Sequence, residues 1–230
     1  MTAPFNYHRL AGKFIVFDGP DGCGKTTQME RLQVQAEAAG VKVRRLREPG
    51  GTPIGEQIRE VLLATKNEGM DVRCEMLLYM ASRAQLVHEQ IRPALAVGEL
   101  VLTDRFASST LAYQGAAGGL PMEAILQVAT IAVDETWPDL TVIFDITIEA
   151  AYARLNPLYG KKDTGQWGLF QDRIEQRDRG YHERVRQGFL EQLQRWPARY
   201  RRVDASLGIV EVEAQVLGVV EEFFKPENPT

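Results

Sequence analysis

Cysteine is scarce in this chain, and its scarcity excludes two classes of protein. The 230 residues include only Cys23 and Cys74, too few for the disulfide framework of a small secreted domain or for a four-cysteine zinc site. Such a cysteine content is typical of proteins from a reducing compartment. We therefore expect a cytoplasmic protein.

Long apolar runs and an excess of positive charge are also missing. No stretch approaches the roughly 18 apolar residues of a membrane span, and residues 1–13 lack the apolar centre of a signal peptide. Lysine and arginine number 27 against 31 aspartates and glutamates, for a formal net charge of -4. A chain of this charge does not attract nucleic acid through its overall field. We expect neither a nucleic acid nor a membrane as partner.

The sequence does contain short apolar runs that alternate with helical segments, in a chain that is 44% apolar and 25% charged. This pattern predicts one α/β domain over residues 1–230, with a five-stranded parallel sheet covered by helices on both faces. The predicted strands are residues 13–17, 41–46, 100–103, 140–145 and 202–204. The predicted helices are residues 25–39, 54–64, 72–97, 171–193 and 209–224.

Residues 156–170 (NPLYGKKDTGQWGLF) break this alternation, because they are rich in glycine and lysine and show little periodicity. A loop of this length inside a compact domain is usually either functional or disordered. We interpret it as a lid over a site.

Residues 19–26, GPDGCGKT, match the GxxxxGK(S/T) pattern of a phosphate-binding P-loop. The match follows a predicted strand and opens a predicted helix, so backbone N–H groups and the helix N-terminus would surround a phosphate. Lys25 would reach the terminal phosphates and the Thr26 hydroxyl would bind Mg²⁺. The alternative is a glycine turn with an exposed lysine. The expected nucleotide-binding residues are Gly19, Pro20, Asp21, Gly22, Cys23, Gly24, Lys25, Thr26 and Thr27.

Asp104 and Arg105 directly follow the predicted strand 100–103. The carboxyl end of a strand is the ligand-facing edge of an open α/β sheet, where an acid can hold the water shell of a metal and a guanidinium can bind phosphate. A surface ion pair is the alternative. A P-loop indicates a nucleotide but not its use, so other motifs must decide the function.

Several ordered segments resemble the thymidylate kinases, which transfer the γ-phosphate of ATP to dTMP. The resemblance implies a P-loop NTPase fold of three α/β/α layers, Mg²⁺ as cofactor, ATP and dTMP as substrates, and a homodimer whose interface includes the helix that carries Tyr79. The segments are FDGPDGCGKTT (17–27), REPGGTPIGEQIR (47–59), LLYMASRAQLV (77–87), DRFASSTLAYQG (104–115), PDLTVIFD (138–145), DRIEQ (172–176) and VDAS (203–206).

For the base and the sugar, the resemblance implies that Tyr79 stacks on thymine and that Arg83, on the same helix face, contacts it. Taken alone, these positions favour a core residue and a solvated helix charge. Thr110 and Gln114 correspond to side chains near the pyrimidine edge and the incoming phosphoryl group. Tyr113 corresponds to an aromatic ring that closes over deoxyribose. Without the resemblance, the segment that contains these three residues indicates only the polar start of a helix.

For the acceptor phosphate, the resemblance implies Arg59 and Arg105, two guanidinium groups suited to a dianion. It places Glu48 close to the metal and the acceptor, and Asp21 at the 3′-hydroxyl of the acceptor. The expected metal-binding residues are Thr26 and Asp104.

Gly22 occupies the P-loop position where some thymidylate kinases carry an arginine. The chain therefore resembles the type that supplies this charge from the lid, where Lys161 and Lys162 are the candidates, flanked by Arg154 and Arg173. A charged flexible loop is the alternative for each of these cations. The expected catalytic residues are Lys25, Asp104, Arg105, Lys161 and Lys162.

The histidines His8, His88 and His182 lie outside these motifs, and we expect all three at the surface. Two other functions remain open. One is a kinase of this fold with a different pyrimidine specificity, accepting dUMP alongside dTMP; the other is a nucleotide-binding module without transferase activity.

Overall fold

The computed structural model describes residues 5–155 and 172–226. These ranges contain a sheet of five strands that pair in parallel in the order β2-β3-β1-β4-β5. The predicted five-stranded parallel sheet is therefore confirmed. Its strands are β1 Phe14–Asp18, β2 Val43–Arg47, β3 Leu100–Asp104, β4 Leu140–Asp145 and β5 Tyr200–Asp204.

Helices cover both faces of this sheet. They are α1 Lys25–Ala38, α2 Pro53–Leu63, α3 Val72–Leu86, α4 Arg92–Ala96, α5 Ala107–Thr110, α6 Met122–Val133, α7 Ile148–Leu155, α8 Arg179–Arg195 and α9 Ile209–Phe223. A π-helical turn, Val87–Ile91, joins α3 to α4, and another, Leu111–Ala117, continues α5. Short 3₁₀ turns lie at Tyr7–Leu10 and Thr65–Asn67.

Several helical segments differ from the sequence prediction, α8 and α6 among them. Helix α8 begins at Arg179 and not near residue 171, because the Asp178 carboxylate accepts a hydrogen bond from the Tyr181 backbone N–H and caps the helix there. Helix α6 was not predicted. No side chain caps its first turn, so the sequence gives no start signal for it. Its exposed polar residues Glu123, Gln127 and Thr130 do recur at helical spacing, a pattern that the prediction overlooked.

The core lies on both sides of the sheet because successive strand residues point to opposite faces. On β1, Phe14 and Val16 belong to the cluster that contains Leu86 and Ile91. The intervening residues Ile15 and Phe17 belong to the cluster that contains Met29 and Leu32 of α1. Strands β1 and β3 pair in parallel with Phe17 opposite Asp104. Their carboxyl ends therefore meet at one edge of the sheet.

None of the helices in the described part of the chain has the length and apolar character needed to cross a bilayer.

Candidate active site

The P-loop joins β1 to α1 at the carboxyl edge of the sheet, as predicted. Gly22 (φ 77°) and Gly24 (φ 92°) adopt the left-handed backbone that favours glycine. A Cβ atom on Gly22 would lie 2.7 Å from the Ala151 carbonyl oxygen and 2.8 Å from Cγ of Leu155, whereas one on Gly24 would meet nothing within 4 Å. The packing of α7 against the loop therefore leaves no room for a side chain at position 22.

Lys25 and Thr26 begin α1 and face the end of β3. Lys25 is 6% exposed, and its Nζ donates to the carbonyl oxygens of Gly19 at 3.2 Å and Pro20 at 3.1 Å. Nζ also lies 3.9 Å from Oδ1 of Asp104, and the Thr26 hydroxyl donates to Oδ2 of Asp104 at 3.1 Å. The structure thus brings together the lysine, the hydroxyl and the acid that the sequence singled out.

Thr26 and Asp104 fit a magnesium ion. Both offer hard oxygen ligands, and Mg²⁺ is usually bound through one or two such groups together with substrate phosphates and water. In the described residues no group of three or more histidine, cysteine, aspartate or glutamate side chains could hold a metal by itself. The pair therefore suits an ion that arrives with a nucleotide.

Arg105 is held by partners on the P-loop and on α5. One terminal nitrogen donates to the Gly19 carbonyl oxygen at 3.2 Å and to the Ser109 hydroxyl at 3.0 Å, and the other donates to Oδ1 of Asp21 at 2.6 Å. The guanidinium carbon lies 5.1 Å from the centre of the Tyr113 ring. The residue itself adopts φ 72°, unusual for a non-glycine residue. The loop and the side chain together hold the guanidinium at the mouth of the P-loop.

Asp21 is the acid that Arg105 binds. Burial raises the pKa of its carboxyl, but the charges of Arg105 and Lys25 outweigh burial and lower that pKa to about 2. The repulsion expected between this acid and bound phosphates is thus offset by two cations already in place.

Asp18, at the end of β1, is a buried carboxylate that sequence reasoning did not assign. It accepts hydrogen bonds from the hydroxyls of Ser108 at 2.5 Å and Ser109 at 2.7 Å and from the Gly19 backbone N–H at 2.9 Å. Its oxygen lies 3.5 Å from Arg105. Asp18 therefore ties the first residue of the P-loop to α5. An acid closing an apolar strand was the only signal in the sequence.

One cavity of about 480 Å³ adjoins the P-loop and contains most of the predicted site residues. The acceptor residues inferred from the resemblance all line it except Arg83. The predicted residues in its wall are Asp21, Gly22, Gly24, Lys25, Thr26, Thr27, Glu48, Arg59, Tyr79, Asp104, Arg105, Thr110, Tyr113 and Gln114.

Arg83 lies behind this wall and is 1% exposed. Its Nε and a terminal nitrogen donate to Oε2 of Glu48 at 2.8 and 2.6 Å, and the other terminal nitrogen donates to the Thr110 hydroxyl at 3.1 Å. Burial raises the pKa of the Glu48 carboxyl to about 7, against the opposing charge of Arg83. The interpretation of Arg83 as a solvated helix charge is wrong, while its contact with a base stays a prediction.

Two acids of the DRIEQ segment complete the wall, although the sequence analysis gave them no role. Asp172 and Glu175 both line the cavity. Burial raises the pKa of Glu175 to about 7, and the charges of Asp172 and Asp21 contribute to the rise. Further wall residues that were not predicted to bind substrate are Arg47, Pro49, Leu63, Ser109, Arg154, Leu155 and Ile174.

Of the four cations expected in or beside the lid, Arg154 and Arg173 lie in the described part of the chain. Lys161 and Lys162, with the whole predicted lid 156–170, lie outside the described residues. Arg154 lines the cavity and donates to the carbonyl oxygens of Ser206 and Leu207, both at 3.1 Å. Arg173 is buried and occupied by other partners, donating to the Leu62 carbonyl oxygen at 3.1 Å and pairing with Glu75 at 2.6 Å.

His182 is buried rather than at the surface, which corrects the expectation for this residue, because α8 packs it between Tyr152 and Tyr181. Burial also lowers its pKa. His8 and His88 are exposed as predicted.

Comparison with known proteins agrees with this geometry. The model of the family described as thymidylate kinase matches residues 17–216. The chain belongs to the thymidylate kinase family. The thymidylate kinase of Caldanaerobacter subterraneus subsp. tengcongensis is 44% identical over 216 residues, which are 94% of this chain and 98% of that protein. The thymidylate kinase of Deinococcus radiodurans is 44% identical over 211 residues, 92% and 97% of the two chains.

A solved thymidylate kinase shares the fold. The crystal structure of the enzyme from Ehrlichia chaffeensis superposes with a TM-score of 0.70 at 31% identity, covering 90% of this chain and 98% of that one. The resemblance drawn from the ordered motifs is thus confirmed, and so is the α/β fold that it implied.

Proposed function

We propose that this thymidylate kinase family member transfers the γ-phosphate of ATP to dTMP, forming dTDP and ADP. The observation that carries the proposal is one cavity whose wall combines a P-loop with Tyr79, Gln114 and the guanidinium groups of Arg59 and Arg105. A cavity of this composition suits a nucleotide phosphate beside a second, monophosphorylated nucleotide with a neutral base.

At the donor end, the P-loop N–H groups and Lys25 would bind the phosphates of ATP. Thr26 and Asp104 would hold Mg²⁺, which when bound supplies positive charge to the β- and γ-phosphates. The remaining residues of Gly19–Thr27 would surround the phosphates.

At the acceptor end, Arg59 and Arg105 would bind the phosphate of dTMP. Asp21 would accept a hydrogen bond from the 3′-hydroxyl of the dTMP sugar. Tyr79 would stack on the base, and Tyr113 would close over the sugar. Glu48 and Thr110, both bound to Arg83, would lie beside the transferring group.

Little acid–base chemistry is needed, because the acceptor phosphate is already an anionic nucleophile. Alignment in a water-poor site and neutralisation of charge would supply most of the rate. We propose Lys161 and Lys162 as the lid cations that complete the neutralisation, since Gly22 leaves the P-loop itself without an arginine.

We further propose that the chain acts as one kinase domain, in the cytoplasm and as a homodimer. In support of a dimer, α3 contacts α2 and α6, and these helices expose Leu77 (53%), Ile54 (50%) and Ile131 (83%). Sedimentation of the purified protein would test the oligomeric state.

The function is tested by coupling ADP release to a spectroscopic signal with ATP, Mg²⁺ and each of dTMP, dUMP, dCMP and dGMP. We expect turnover with dTMP well above the rate without an acceptor, and rejection of dCMP and dGMP. Equal kcat/KM values for dUMP and dTMP would instead support the broader pyrimidine kinase. Nucleotide binding without ADP release would support the silent module, and Lys25→Ala provides the inactive control.

A further inference from the structure

A buried acid of α3, Glu75, lies behind the cavity wall and has no part in the function proposed above. It is 0% exposed. Its Oε1 accepts a hydrogen bond from Nε2 of Gln114 at 2.6 Å. Its Oε2 accepts from a terminal nitrogen of Arg173 at 2.6 Å and from one of Arg177 at 2.7 Å. We call these four residues the Glu75 cluster.

The Glu75 cluster fixes the orientation of the Gln114 amide. An amide has one end that donates hydrogen bonds and one that accepts them, and a carboxylate bound by two guanidinium groups offers its neighbour only acceptor sites. Nε2 of Gln114 must therefore face Glu75. Because Gln114 also lines the cavity, its carbonyl oxygen Oε1, the end of the amide turned away from Glu75, is the acceptor that it offers to a ligand.

This carbonyl lies in the part of the wall suited to a base. Tyr79 lies one helical turn beyond Glu75 on α3, and Thr110 lies one turn before Gln114. All three residues, Tyr79, Thr110 and Gln114, border the same cavity. An aromatic ring beside an amide and a hydroxyl can stack on a planar base and hydrogen-bond to its edge.

We propose that Glu75 is a positioning residue that sets the base specificity of the enzyme by making Gln114 present a hydrogen-bond acceptor. The inference rests on the proposed function, since it concerns the acceptor nucleotide. An acceptor at this point pairs with the N3–H of thymine, whereas cytosine offers a lone pair at N3 and is repelled. A buried site built around one hydrogen bond discriminates strongly against a ligand that does not make it.

Glu75→Gln tests this inference because the two arginines dictate how the new amide must lie. Arg173 and Arg177 only donate, so the new side chain turns its oxygen towards them and its NH₂ towards Gln114. The Gln114 amide then rotates, accepts that hydrogen bond through Oε1, and presents its NH₂ to the cavity. We expect the ratio of kcat/KM for dTMP to that for dCMP to fall at least about 100-fold.

Two further variants separate this role from general damage to the core. Arg177→Met removes one donor from the Glu75 cluster but leaves Glu75 an acceptor, so the dTMP-to-dCMP ratio should stay within a few-fold of wild type. The double variant Glu75→Gln/Gln114→Glu exchanges the two functional groups at constant charge and again presents an acceptor to the base. Its kcat/KM for dTMP should be at least ten-fold higher than that of Gln114→Glu alone.

The outcomes distinguish the two proposals. If wild-type protein releases no ADP with dTMP, the proposed function fails. If wild type is active but the ratio in folded Glu75→Gln is unchanged, or Arg177→Met lowers it equally, the role of Glu75 is refuted while the function stands. Should Glu75→Gln fail to fold by circular dichroism, the double variant decides. Recovery relative to Gln114→Glu supports the inference, and absence of recovery overturns it.

Discussion

Two substitutions of Arg105 distinguish the contribution of its guanidinium group to catalysis from the effect of its strained backbone on stability. The side chain donates to Asp21 at 2.6 Å and to the Gly19 carbonyl oxygen at 3.2 Å. Its guanidinium therefore lies against the P-loop, where the phosphoryl group would be transferred. Loss of one donor that stabilises a transition-state charge commonly raises the barrier by about 3 kcal/mol. Each 1.36 kcal/mol is a factor of ten. We therefore expect kcat to fall about 100-fold in Arg105→Ala.

Arg105→Gly is the matched variant, because it removes the same group and also relieves the backbone. At φ 72°, a residue with a Cβ is strained by about 1–2 kcal/mol, part of which is offset by the greater freedom of glycine in the unfolded chain. The glycine variant should be more stable than the alanine variant by about 1 kcal/mol, or roughly 3 °C in Tm. Its kcat should be as low.

Steady-state kinetics with saturating ATP and dTMP, together with thermal melts, test both expectations. Near-normal kcat in either folded variant would refute the catalytic role of the guanidinium. Recovery of kcat in Arg105→Gly but not in Arg105→Ala would show that the backbone conformation, and not the charge, limits turnover.

Three further predictions concern the cavity wall. Because its pKa is raised to about 7, Glu175 is neutral below that pH and negative above it, so the KM for anionic dTMP should rise several-fold as pH passes 7. The rise should be smaller in Glu175→Gln, where Glu48 is still an acid of the wall with a pKa near 7, and an unchanged rise would contradict the role of Glu175. Gly22→Ala should lower Tm more than Gly24→Ala, since both residues have positive φ but only the first Cβ would meet Ala151, at 2.7 Å; equal melting temperatures would contradict this packing. Tyr79→Ala should raise the KM for dTMP about ten-fold or more through lost stacking, while Tyr79→Phe stays near wild type; similar KM values in both variants would argue against a stacking role.

Much of the fold could be predicted from the sequence because its signals are local. Buried parallel strands are short apolar runs, and the predicted strand 140–145 coincides with β4. The glycines of the P-loop mark its turn directly. Helix α6 was missed because no side chain caps its first turn, although Glu123, Gln127 and Thr130 recur at helical spacing. The start of α8 was placed too early because Asp178 caps the helix at a position that charge composition alone did not reveal.

The sequence by itself determined the phosphate-binding loop, the strand that precedes it and the ordered motifs that identify the family. Each of these depends on residues close together in the chain, whose glycine content and apolar spacing act through the local backbone. Only the tertiary structure decided that Arg83 lies beneath Glu48 and Thr110, that Arg173 is held by Glu75, and that His182 is buried. The burial of these side chains depends on contacts that form only when the chain folds. A buried charge requires a partner, and here segments distant in the sequence supply it.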